Sequence, residues 1–368
     1  RLKRTSYQYN TLGQLERETD PLNKVIRYTY YDNGLLKEKI DTTIPTAEVV
    51  LITHYYDTQG HLTKKHYADG SEAAYTYYPD GALWTAANQY ISYTYTYYNN
   101  GWLKSVSDSN GRTINYDLYD NNGQKKTVNY FPTTSDAKTV TYGYDGANRL
   151  ETVTSAAGTF TIGYDNLSRR KTVTYPNLIT ATYGYDDLNR LTSLSHAAAG
   201  GGIVTESAYT HDQAGNRKTK TGTVNESYIY DEIYRLTDTV TPQGTEKYTY
   251  DDVGNRKSGP GTRDTEGTYQ YNDGNQLING RTLSFLYDNM GNQTTRIINN
   301  APEKEWTLTW DFENHLTKVE KNKGTSESRI TTFKYDPMGR RIEKKHVTSK
   351  DSVATTTTTT YVYDGDNI

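Results

Sequence analysis

The sequence predicts an all-β protein: tandem β-hairpins laid side by side as a long antiparallel sheet ribbon. Three observations lead there. A nine-residue phrase, cleanest as Tyr183-Gly184-Tyr185-Asp186-Asp187-Leu188-Asn189-Arg190-Leu191, recurs in variant form through the chain. The residues before it alternate as pleated strands do, in Tyr93-Thr94-Tyr95-Thr96-Tyr97 and Tyr248-Thr249-Tyr250. Of 368 residues 37 are tyrosine, while aliphatic residues and Phe are scarce. A conventional core needs more Leu, Ile, Val and Phe, whereas Tyr suits half-buried surfaces, offering an apolar ring and a hydroxyl that wants a partner.

With the second aromatic of each phrase as position zero, the structural anchors are Tyr9, Tyr30, Tyr56, Tyr77, Tyr97, Tyr119, Tyr144, Tyr164, Tyr185, His211, Tyr230, Tyr250, Tyr271, Tyr287, Trp310, Tyr335 and Tyr363. Seventeen copies separated by (363 − 9)/16 give a mean period of about 22 residues. A period of that size marks a repeat array in which each unit leans on its neighbours. Length alone would suggest two or three domains, but an unbroken repeat makes residues 1–368 one array, without a separate domain and expected to be truncated at both ends.

Positions +1 to +4 read as a type I turn closed by a left-handed residue. Asp stands first in Asp57, Asp120, Asp145, Asp186, Asp251, Asp288 and Asp336, where its carboxylate can accept from amides further on. Gly stands fourth in ten copies, from Gly13 to Gly339; Asn148, Asn189, Asn275 and Asn314 replace it elsewhere, as the residue next most tolerant of positive φ. Ser168 and Tyr234 at that position break the rule. A second strand follows, as in Leu150-Glu151-Thr152-Val153-Thr154, then a looser outer turn such as Ser155-Ala156-Ala157-Gly158. The outer connections vary most, at 41–49, 131–138, 197–202, 258–267, 321–328 and 355–360, as expected of insertions along one edge of a sheet. From Tyr144 onward, copies ending near Asn-Arg-Leu alternate with copies reading near Gly-Asn-Arg, a doublet of about 42 residues; the first six copies lack it, and three of them insert Tyr31, Tyr78 and Tyr98 at +1.

Charge and composition narrow the function classes. The net charge is −3 from 41 basic and 44 acidic residues that are interspersed, so no long-range field attracts nucleic acid. There is no cysteine, hence no disulfide or zinc-thiolate site. No apolar run is long enough for a membrane-spanning helix.

The phrase resembles the YD repeat, or Rhs repeat, whose loose form is Tyr-x-Tyr-Asp-x-x-Gly/Asn-Arg-Leu, and the resemblance covers essentially the whole chain. That family includes Rhs polymorphic toxins, the B and C components of insecticidal toxin complexes, bacterial wall-associated proteins and teneurins. The resemblance implies a ribbon that spirals into part of a hollow shell enclosing the C-terminal cargo of the same polypeptide, in a secreted or cell-surface protein, most simply a bacterial one. About 34 strands at ~4.8 Å make a ribbon of roughly 160 Å, enough for about one coil roughly 50 Å across. The core-associated segment that follows the repeats in the toxins has no counterpart here, so no catalytic residue is carried over.

No residue pattern demands catalysis, a cofactor or a metal, and none of these is expected. The aspartates belong to turns. His54, His61 and His66 come nearest to a metal-like cluster, and His211 reads as filling an aromatic slot. Arg149, Arg190 and Arg235 recur at one turn position; stacking on rings is one reading, an exposed rim of charge the preferred one. The expectation is therefore a non-enzymatic shell scaffold, the alternative an adhesin whose tyrosine-rich surface binds glycans or a cell-surface partner.

Overall fold

A computed structural model describes residues 4–44, 47–259, 268–299, 301–321, 327–351 and 353–367, and places in them 34 strands and no helix. The number follows from the repeat. Sixteen anchors sit in complete hairpins, giving 32 strands; the break between Gly244–Lys247 and Thr249–Tyr250 adds one, and Val353–Thr360 leading to Tyr363 adds the last. Strands from Ser6 to Lys247 belong to a 23-stranded sheet, Thr249–Tyr250 and Arg256–Ser258 to a two-stranded one, and those from Tyr269 to Thr360 to a nine-stranded one. Of the variable connections foreseen, residues 45–46, 260–267 and 322–326 lie outside the described residues.

One hairpin explains the rest. Thr180–Tyr185 pairs antiparallel with Leu191–Ala197, and the register slips between Gly184 and Tyr185 so that the anchor faces Leu191, six residues on. Within the turn, Asp186 N–H donates to Arg190 O (3.0 Å) and Asn189 N–H to Asp186 O (3.0 Å). The Asp186 carboxylate accepts from the amides of Leu188 (3.0 Å) and Arg190 (2.9 Å), satisfying two donors that a strand end would otherwise leave open. The fourth position is left-handed in the sixteen turns from Gly13 to Gly339: φ is 63° at Asn189, 89° at Gly60, and 62° and 66° at Ser168 and Tyr234; in the turn after Tyr363 it is Gly365, at the second position, that is left-handed. The two residues that broke the sequence rule thus adopt the same turn, because the capping Asp165 and Asp231 and the flanking ladder hold them there. Where Tyr replaces Asp at +1, the cap moves two residues on, to Asn33, Asp80 and Asn100.

The chain forms two compact units, residues Arg1–Gly111 with Thr268–Ile368, and Arg112–Gly267. In unit 1 the buried apolar residues include Ile40, Leu51, Ile52, Ala73, Ala86, Ile91, Tyr93, Phe285 and Ile342. In unit 2 they are Ile114, Tyr116, Val128, Val173 and Ala181. So thin a set of buried aliphatics cannot carry stability alone, and polar side chains take up the connection between hairpins.

Candidate functional site

Two features of the site arise from the repeat itself. The first is the anchor. Its hydroxyl donates to the carbonyl of the +6 residue of the preceding hairpin: Tyr30 to Leu15 (2.7 Å), Tyr77 to Leu62 (2.8 Å), Tyr164 to Leu150 (2.7 Å), Tyr250 to Leu236 (2.7 Å) and Tyr335 to Leu316 (2.8 Å). Trp310 supplies an indole N–H to Gln293 O instead (2.8 Å). This geometry needs a flat apolar body with a donor at its tip, which is why Phe, of which the chain has five, does not serve. His211 keeps the register of an anchor, facing Arg217.

The second is the residue at +5, and here the structure corrects the sequence reading. Arg149, Arg190 and Arg235 do not form an exposed rim of charge; each is a half-buried rivet between consecutive turns. Arg235 donates from Nε to Asp231 of its own turn (2.6 Å) and from a terminal nitrogen to Asp251 O of the next (3.0 Å), with its guanidinium 4.8 Å from the Tyr250 ring centre. Arg149 does the same with Asp145, Ser168 Oγ and Tyr164, and Arg169 with Asp165, Asp186 O and Tyr185. Arg190 bridges Asp186 and Asp212 O. The planar guanidinium can bridge and stack at once, which a surface lysine cannot. The Arg149 side chain, helped by turn amides, holds the Asp145 carboxyl below the usual carboxylate range; at Asp186 and Asp231 the amides of Arg190 and Arg235 lead that effect.

In unit 1 histidine takes the same place twice. His61 bonds Asp57 (3.0 Å) and stacks on Tyr77 at 4.8 Å; His315 bonds Asp311 (3.0 Å) and stacks on Tyr335 at 4.7 Å. The metal-like trio is therefore dispersed: His66 pairs with Glu72, and His54 is half-buried, its Nδ1 without a partner and its pKa lowered by burial. Among the described residues no group of three His, Cys, Asp or Glu side chains could hold a metal ion. The spacing within one turn, Asp at +1 and a donor side chain at +5, was the signal that could have found the rivets.

These parts converge on a seam inside unit 1, where turns of the C-terminal hairpins dock on the N-terminal strands. Glu313, at +3 after Trp310, accepts from Lys65 Nζ (2.5 Å) and the Tyr67 hydroxyl (2.7 Å), and Phe312 stacks on the Tyr67 ring at 6.5 Å. One hairpin on, Tyr75 donates to Pro337 O (2.5 Å), Asn88 to Tyr335 O (2.9 Å), and Tyr93 to Asp336 Oδ2 (3.4 Å). Asp336 is fully buried, and Arg340, bonded to it at 2.7 Å, keeps that carboxylate paired. Ile91, Tyr93 and Ile342 form an apolar cluster beneath, flanked by Tyr95, Val106 and Tyr363. Burial pushes the hydroxyls of Tyr67, Tyr75 and Tyr93 up, so all three remain donors. Beside the seam lies a cavity of about 360 Å³ whose lining includes Tyr67, Asn88, Gln89, Tyr90, Phe312 and Phe333. The carboxylates around it are engaged: Glu313 as above, Glu72 by Lys64 and His66, and Asp69 by the Ser71 amide and hydroxyl.

Fold and joints define a class, a β-ribbon scaffold of hairpins riveted turn to turn. Residues 179–354 match the family described as Teneurin YD-shell. A 98-residue stretch is 38% identical to the tRNA nuclease WapA of Bacillus subtilis (strain 168), covering 27% of this chain and 4% of that protein. The tRNA3(Ser)-specific nuclease WapA of Bacillus spizizenii matches to the same extent. In three dimensions the chain is similar to the crystal structure of TcdB2-TccC3-TEV, with a TM-score of 0.50 at 14% identity over 98% of this chain and 24% of that one. The chain thus carries YD, or Rhs, repeats, matched to the family over residues 179–354, and it spans a small part of the length of these relatives.

Proposed function

We propose that this ribbon is wall rather than catalyst: a stretch of β-shell, from a secreted or surface-exposed and most simply bacterial protein, that encloses a C-terminal toxin or effector of the same polypeptide. The seam of unit 1 carries this reading. A ribbon that only displayed a surface would have no need to bind its later turns back onto its earlier strands with Lys65, Tyr67, Tyr75 and Tyr93. Hairpins that grip one another by side chain and backbone alike make a continuous wall without a thick core. The nuclease names of the WapA relatives are consistent with such a wall lying beside an active cargo. Negative-stain images of the full-length parent should show a hollow particle; solid particles or extended rods would refute enclosure.

A second reading, glycan-binding adhesion, has one observation in its favour. The cavity beside the seam sets Tyr90, Phe312 and Phe333 near the amide of Gln89, a mix of ring faces and a hydrogen-bonding group that suits a sugar. Saturable binding on a glycan array, abolished by Tyr90→Ala, would favour it over enclosure.

A further inference from the structure

The nine-stranded sheet of unit 1 has two faces of different charge chemistry. Its register sets Phe285, Arg296, Trp306 and Lys321 opposite one another on successive strands, hence in one row on one face, the face that also bears the anchors Tyr287, Trp310 and Tyr335. Farther along this face stand Arg329, Arg341, Lys344 and Lys350, and Glu327, paired with Arg329 at 3.0 Å, is the one carboxylate of these strands on it among the described residues. On the opposite face the lysines are neutralised: Lys318 pairs with Glu320 (2.7 Å) and Lys334 with Glu343 (3.0 Å).

Arg296 and Lys321 have no such partner among the described residues. Both lie against one indole instead: the Arg296 guanidinium is 4.6 Å and Lys321 Nζ 5.1 Å from the Trp306 ring centre, and the same guanidinium is 5.7 Å from the ring centre of Phe285. Two N–H groups of the row are also unmet. Arg296 Nε and Trp306 Nε1 are buried and meet no acceptor, and Gln293 Nε2, on the strand of Arg296, is in the same state. Buried N–H groups almost always find an acceptor, and a carboxylate, with several lone pairs and a shape that fits the guanidinium fork, can serve more than one.

The earlier strands show what such an acceptor looks like. On their anchor-bearing face the Glu313 carboxylate accepts from Lys65 Nζ and the Tyr67 hydroxyl, while Phe312 covers the Tyr67 ring. That joint is a cation, a donor carried on a ring, and a carboxylate brought by a peptide segment. The row at Trp306 repeats the first two.

The geometry points to a binding site here: Arg296, Trp306 and Lys321 receive the carboxylates of an acidic peptide segment. The strands of Arg296 and Lys321 are about 10 Å apart, the span of about three residues of extended chain, so acidic side chains spaced in that way engage both cations.

Titration calorimetry of the chain with acetylated hexaglutamate at about 50 mM salt should show saturable binding, weakened at about 300 mM salt as the charges are screened. Arg296→Gln and Lys321→Gln, each with unchanged far-ultraviolet circular dichroism, should weaken it about tenfold or more, and Lys318→Gln on the opposite face should leave it unchanged. No saturable binding up to about 5 mM would overturn the proposal. So would Arg296→Gln and Lys321→Gln chains that bind as the wild type does, or an equal loss with Lys318→Gln. Inorganic phosphate that binds where hexaglutamate does not would overturn the assignment to a peptide carboxylate. Each of these failures leaves enclosure standing, since that is read from the shape of the parent particle.

Discussion

Replacing Glu313 tests whether the seam of unit 1 is held by its polar contacts. Lys65 and Glu313 lie 2.5 Å apart with side chains 19% and 26% exposed, and Tyr67 donates to the same carboxylate. At an effective dielectric constant of about 20, a close ion pair gains about 4 kcal/mol before desolvation. The residual exposure of both groups and the cost of taking them from water leave about 1–2 kcal/mol of that. A hydrogen bond to a charged acceptor contributes a further ~1.5–3 kcal/mol, of which a neutral amide would retain about one. Glu313→Gln should therefore lower the local opening free energy of the 311–315 turn by about 2 kcal/mol, a ~30-fold rise in amide exchange. Hydrogen exchange read by mass spectrometry would localise the change to segments 62–77 and 309–318 and leave unit 2 unaltered. Lys65→Met alone should also loosen the seam, and the double variant should lose less than the sum, with a coupling of about 1–2 kcal/mol. A coupling below about 0.3 kcal/mol would mean that the pair is merely adjacent, and would refute the reasoning.

Three further outcomes follow from the turn and joint geometry. Tyr234→Gly should stabilise unit 2 by about 0.5–1 kcal/mol, because an L-residue at φ 66° carries a steric cost that glycine lacks; an unchanged or lower urea midpoint would contradict the turn assignment. Tyr164→Phe keeps the ring under Arg149 but removes the donor to Leu150 O, so it should cost about 1 kcal/mol, measured by exchange at Leu150–Ser155; no loss would deny the hydroxyl its part. The hydrogen bond from Asp311 outweighs burial and raises the pKa of His315 above its ordinary value. Its contribution is thus complete below about pH 6.5 and is lost as pH rises through the raised folded value, so protection of the 311–315 turn should fall from pH 6 to pH 8 and His315→Gln should flatten the profile.

Much of the local structure was legible because each element depends on residues close in sequence. Asp at +1, Gly or Asn at +4 and the alternation before each anchor announce strand, turn and strand, and Asp186 to Asn189 behaves as its residues require. Ser168 and Tyr234 looked like exceptions only because propensity was read one residue at a time; the capped turn around them outweighs their own preference. Arg149, Arg190 and Arg235 were misread as a charged rim for a different reason. Their partners, such as Asp212 O and the Tyr250 ring, belong to the following hairpin, and only the strand spacing brings them within reach.

From residue order alone the protein is an antiparallel ribbon of hairpins with a period of about 22, since turn chemistry and strand alternation act over a few bonds. The pairing of Glu313 with Lys65 and Tyr67, or of Asp336 with Tyr93, spans more than two hundred residues and has no periodic signature. It depends on where the accumulated twist of the strands carries the later turns of unit 1. Hence the seam, the buried carboxylate of Asp336 and the cavity beside them were decided by tertiary structure.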